Sequence, residues 1–281
     1  MEEYYFLFGL GIIWILFASL QDLKYKEVAN WLTFSLIGIG LFYRLIYSYL
    51  FGEWNFVLYG VYGFLAFFVL AHLFYYGRVF AGGDAKLLIG MGALLPYSSL
   101  NGLLFWCLFF IFILFLMGGI WSLVWSLVLV KNSKNFWKVF MSVFRTSKFL
   151  MYLSLFLFVV LIFLVNILVL LWSALILVGI PLLYLYLQAV DHECMKVKVY
   201  PSKLSEGDWL VNDIKIGKKV IHASVHGLSI DDIKLLKKRG KKVLIKNGVP
   251  FIPSFLVAYL IMVFAYSIYG FDWEKLVFLL P

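Results

Sequence analysis

Charge is what this chain has least of. Only 14% of its 281 residues are Asp, Glu, Lys or Arg, against about 25% in an ordinary soluble domain. Hydrophobic residues make up 64% and the mean hydropathy is +0.97, which excludes a water-soluble globule. Cysteine is scarce as well. Cys107 lies in an apolar run and Cys194 in a polar segment, so neither a disulfide framework nor a paired-cysteine zinc site is available. His222 and His226 lie outside a clear helix, with no cysteine or acid cluster nearby, and no metal or cofactor is expected. The first apolar run, Tyr4–Leu20, follows Glu2 and Glu3 instead of a basic segment and lacks a small-residue cleavage site. It reads as a retained span and not as a signal peptide.

What is present is apolar sequence in runs of membrane-crossing length. They fall at about Tyr4–Leu20, Trp31–Phe51, Trp54–Tyr76, Leu87–Leu100, Leu103–Val130 and Phe251–Tyr269. A further run, Phe149–Val190, is too long for one crossing and is split at Asn166 into two. Strand-type alternation is absent from these runs, so they are helices and not barrel strands. The expected fold is an all-α polytopic membrane helical bundle of about six to eight transmembrane helices, with a small α+β domain inserted before the last one. Three parts follow: a membrane domain over 1–190, a basic soluble domain over 191–249, and a final helix and tail over 250–281.

In the soluble part, Trp209–Val211, Ile214–Ile216, Lys219–His222 and Lys241–Lys246 read as short strands. Asn212-Asp213, Gly217 and Asn247-Gly248 supply turns. Ser229, followed by Asp231 and Asp232 and closed by Gly240, marks a capped helix.

Orientation follows from the basic residues. With eight crossings and the N-terminus outside, every Lys and Arg except Arg44 and Lys275 falls on the inner side. The protein is then a multi-pass protein of the plasma membrane. The basic Lys234–Lys246 run abuts a span on the inner side, so anionic lipid of the inner leaflet is its expected partner and nucleic acid is not.

Two acids interrupt the apolar sequence: Asp22 at the end of the first run and Asp84 before the fourth. The topology puts both at the cytoplasmic face, at one depth. Read singly, Asp22 is an interfacial acid beside Lys24 or Lys26, and Asp84 is a helix N-cap. Read together, they are a catalytic dyad. Two carboxylates sharing one proton can hydrolyse a peptide bond without metal, thiol or activated serine, because close like charges split their proton affinities. Helix ends alone assign the roles: Asp84 opens a helix and would be the carboxylate, while Asp22 closes one and would be the acid. Gly82 and Gly83 leave room for a substrate backbone. Lys86, Asn30 and Glu27 are possible supporting residues, with Asn30 also a cap for the second span.

At these positions the sequence resembles the archaeal preflagellin peptidases and the wider type IV prepilin peptidase family of GxGD membrane aspartic proteases. The first signature is Ser19-Leu20-Gln21-Asp22-Leu23-Lys24-Tyr25-Lys26, followed by Asn30-Trp31-Leu32, and the second is Gly82-Gly83-Asp84-Ala85-Lys86. The segment Lys246–Pro253 looks like the C-terminal stretch of archaeal members. Two departures stand out: Ala81 replaces the opening glycine, and Ala29 replaces a proline often found before the asparagine.

The resemblance implies removal of a short basic leader from preflagellins or pilin-like precursors, on the cytoplasmic side and before their hydrophobic segment. Bacterial relatives also methylate the new terminus in a region with paired cysteines. Such cysteines are missing here, so a protease without methyltransferase activity is expected. The competing readings are a proton-coupled secondary transporter, disfavoured because both acids lie at one face without an internal repeat, and a presenilin-like protease cutting within a span.

Overall fold

The computed structural model describes residues 2–77, 79–162, 172–173, 175–216, 219–223, 227–246 and 248–270. They form two compact units, one of residues 1–123 with 249–281 and one of residues 124–248.

The first unit is built of long apolar helices. α1 (Tyr5–Tyr25), α2 (Asn30–Phe51) and α3 (Trp54–Tyr76) run 21, 22 and 23 residues, about 31–35 Å at 1.5 Å per residue. α5 (Leu100–Lys131) begins in this unit. Among the described residues five helices are long and apolar enough to cross a membrane, or six if a bent pair in the second unit counts as one span. The chain is a polytopic helical membrane protein. Asn166, on which the eight-crossing count depends, lies outside the described residues.

Between α3 and α5 the sequence suggests an ordinary span over Leu87–Leu100. Instead, helix α4 covers only Gly82–Gly92, about 16 Å, and irregular backbone follows from Ala93 to Ser99. Together they reach from one end of α1 to the other. Asp84 at the head of α4 lies near Asp22, while the Tyr4 hydroxyl, at the other end of α1, donates to the Tyr97 carbonyl at 2.6 Å.

Non-helical backbone at membrane depth needs buried partners, and Arg44 supplies them. Its guanidinium is fully buried and donates to the carbonyls of Ala93 (2.9 Å), Leu95 (2.6 Å) and Phe56 (3.0 Å). The Tyr4, Phe56 and Tyr97 rings lie within 4.6–5.7 Å of it. A Cβ at Gly60 would collide with the Arg44 side chain.

α4 packs on α3 at a glycine contact. A Cβ at Gly63 would meet the Tyr97 ring and stand 2.6 Å from the Gly92 carbonyl oxygen. Because that neighbour is backbone, it cannot swing aside. Gly63→Ala is expected to destabilise the first unit by about 2 kcal/mol or more, read as a lower melting temperature in detergent. Gly9→Ala on α1, where a Cβ meets nothing within 4 Å, is the control and should be near neutral.

Helix α10 (Ile252–Tyr269) returns to this unit and packs along α1. Tyr259 lies over Gly11 and its hydroxyl donates to the Leu7 carbonyl at 3.1 Å. Leu7, Ile15, Phe67, Leu88, Phe110 and Met262 are fully buried in the shared core.

In the second unit, α6 (Phe136–Thr146), α7 (Lys148–Ile162) and α8 (Ile180–Ala189) precede a small α+β region. Phe136, Val143, Met151 and Leu185 join the helices. Strands β1 (Lys196–Val199), β2 (Trp209–Leu210) and β5 (Val243–Lys246) form an antiparallel sheet in the order β1-β5-β2. β3 (Ile214–Ile216) and β4 (Lys219–Ile221) form a separate hairpin. Helix α9 (Ile230–Arg239) is capped by Ser229, whose hydroxyl oxygen accepts the Asp232 N–H at 3.2 Å, and ends at Gly240 with φ +67°. The predicted strands and helix are present. β1 was not foreseen, because Lys196-Val197-Lys198-Val199 is short and half basic and gains its place only by pairing with β5. The turn residues Gly217 and Asn247 lie outside the described residues.

Candidate active site

Two contacts join the α1–α2 junction to the head of α4. Lys86 Nζ donates to Asn30 Oδ1 at 2.7 Å. Val28 lies against Gly83. Asp22 and Asp84 are close enough for the charge of the first to act on the second. The two acids, 62 positions apart in the sequence, therefore lie near one another at one end of the first unit. The loop between α1 and α2 is fixed by its own contacts: Lys26 takes a left-handed conformation with φ 58° and donates its N–H to the Asp22 carbonyl, and the Ala29 N–H donates to Gln21 Oε1 at 3.2 Å.

Asp84 does not cap α4. The cap is Ala81, in extended conformation, and Asp84 is the third helical residue, its Oδ2 accepting the Ala81 N–H at 3.2 Å. This is half of a capping box, since alanine has no side-chain oxygen to give back. The extended backbone at Ala81, φ −72°, also explains why alanine serves where the motif has glycine. Asp84 is half-buried and Asp22 is 6% exposed.

Asn30 does not cap α2 either. Ala29 occupies that position and Asn30 is the first helical residue, with its side-chain oxygen turned to Lys86. Gly82 and Gly83 are helical, neither has a positive φ, and a Cβ at either would make only ordinary contacts of 3.7–3.8 Å. Glu27 is exposed on the loop.

Sequence reading missed a partner of Asp22. Its Oδ2 accepts the Ile252 N–H at 2.9 Å, and the Phe251 N–H lies alongside. Ile252 is the first residue of α10, so Asp22 closes one helix and faces the amino end of another. The flanking prolines Pro250 and Pro253 were the available sign of a fixed helix start.

Residues 9–123 match the type IV leader peptidase family. The resemblance read from the two motifs is borne out. A preflagellin peptidase of Methanococcus voltae is 32% identical over 102 residues, which are 34% of this chain and 43% of that protein. A preflagellin peptidase of Methanocaldococcus jannaschii is 35% identical over 89 residues, 32% of this chain and 38% of its own length. A third, from Methanococcus maripaludis, is 29% identical over 101 residues, 34% of this chain and 44% of that protein. The chain spans less than half the length of the curated relatives it matches. Both acids lie within the matched stretch, whereas Ile252 lies beyond it.

Outside this region, His72 in α3 is satisfied by the Phe68 carbonyl four residues earlier, with Nδ1 at 2.8 Å. His222 pairs with Asp213 at 2.8 Å, a carboxylate that the Ala223 N–H and His222 hold below its ordinary pKa. His226 lies outside the described residues. Among the described residues no group of three His, Cys, Asp or Glu side chains is placed to hold a metal ion.

Proposed function

We propose that this protein is a membrane aspartic endopeptidase that removes the basic leader of preflagellins or pilin-like precursors at the cytoplasmic face. The observation that carries the reading is that Asp22 and Asp84 lie near one another at one end of the first unit. The family match over 9–123 and the preflagellin peptidases among the relatives support the substrate class.

In the reaction, one carboxylate takes a proton from a water whose oxygen attacks the scissile carbonyl carbon. The other acid gives its proton to the carbonyl oxygen, producing a gem-diol. The first acid then protonates the amide nitrogen, the C–N bond breaks, and the second recovers a proton from a diol hydroxyl. One water is consumed and the dyad returns to a single shared proton. Lys86 and Asn30, bonded to each other, brace the head of α4. Glu27, exposed on the loop, is proposed to meet a basic leader.

The soluble segment 191–249, inserted before the last helix, is proposed to stand on the cytoplasmic side with its lysines towards anionic lipid.

The test is incubation of membranes carrying this protein with a preflagellin and with a pilin precursor, followed by mapping of the new N-terminus. The expected product starts just before the hydrophobic segment of the precursor. A cut inside that segment, or no cut in either precursor, would overturn the proposal.

A further inference from the structure

The start of α10 is held in place by α5. Trp121 Nε1 donates to the Pro250 carbonyl at 2.7 Å. The Phe251 ring lies directly on Gly118, where a Cβ would strike it. On its other side Phe251 meets Phe80, buried just ahead of the Gly-Gly-Asp start of α4, with ring centroids 5.6 Å apart. Pro253, the second residue of the helix, brings no N–H. Free backbone donors of the first turn are therefore concentrated at Phe251 and Ile252, and these face Asp22.

We propose that this bracket is a working part of the dyad: the Ile252 N–H holds Asp22 as the ionised, water-activating member, and Asp84 carries the shared proton. The inference rests on the two-aspartate reading above. It reverses the assignment drawn from helix ends in the sequence.

Three features argue for it. The first-turn N–H groups of a helix have no partner within the helix and favour an anion. Hydrogen bonds to an ionised carboxylate are about twice as strong as those to a neutral one. The Ile252 N–H is also enclosed by apolar side chains, so without the Asp22 oxygen it would be buried unpaired. Asp84 has a longer contact, 3.2 Å, and is less deeply buried than Asp22, which lets it exchange its proton. The charged group acting on Asp22 is Lys26, at the end of α1, and Asp22 in turn acts on Asp84, on α4. The first turn of α10 contributes no ionisable side chain. On α2 the nearby Asn30 is neutral and occupied by Lys86.

The test replaces Ile252 by its α-hydroxy acid in the full-length membrane protein. The amide becomes an ester and the N–H is lost while the side chain stays. Precursor cleavage is expected to show kcat reduced about tenfold or more with KM changed less than about twofold. The acid limb of kcat/KM is expected to move to higher pH. Ile252→Val, which keeps the N–H, should retain the original pH profile. Trp121→Phe, which releases the Pro250 carbonyl, should move the acid limb in the same direction by less.

An ester variant with unchanged kcat and pH profile, in a protein that D22N inactivates, would overturn the inference and leave the dyad intact. If the ester variant does not fold, an unshifted profile in Trp121→Phe overturns the inference. A D22N variant that cuts at the normal rate would instead remove the underlying reading.

Discussion

Membranes carrying D22N or D84N are expected to cleave precursor about four orders of magnitude more slowly than the unsubstituted protein, and the double variant no more slowly than either single one. Each acid performs a proton transfer the other cannot take over, so the first loss removes nearly the whole rate. The fold should survive both changes. The asparagine oxygen at 22 can accept the Ile252 N–H that Asp22 now accepts, and at 84 it can accept the Ala81 N–H. Single-turnover cleavage, paired with a melting curve in detergent, separates lost chemistry from lost structure. A variant with normal turnover would exclude its acid from the mechanism.

Arg44→Met is expected to be among the most destabilising single changes in the first unit, costing about 3 kcal/mol or more. The guanidinium joins the carbonyls of Ala93, Leu95 and Phe56, and each one left buried without a donor costs about 1–3 kcal/mol. Removing a charge from the interior offsets part of this. Arg44→Lys should recover only a fraction, because an ammonium does not reproduce the planar fork of donors. Activity should fall with stability, since two of the carbonyls belong to the backbone following α4, which carries Asp84 at its other end. A lowered melting temperature with Met and a partial return with Lys would bear this out. Equal stability of all three proteins would mean that the irregular backbone after α4 is held by something else.

The contrast between Arg44 and the dyad shows what could be read in advance. Most helix positions and the two carboxylates that interrupt the apolar runs follow from hydrophobic run length and the placement of charge, which are properties of the chain in one dimension. Arg44 broke that pattern, and its reason lies outside any local rule: it serves three carbonyls, two of them about 50 positions ahead. Asn30 was similar. An asparagine before an apolar run reads as a cap, but a lysine 56 positions later uses its oxygen.

By itself, then, the sequence determined that the chain crosses a membrane as helices and which acids interrupt its apolar runs, because hydrophobic burial and charge exclusion act residue by residue. The tertiary structure alone decided that the apolar run after Asp84 is a short helix with an irregular tail, and that Asp22 faces the amino end of α10 across 230 positions. Such partnerships depend on which backbone groups are left without a local hydrogen bond once the helices pack, and no local pattern records that.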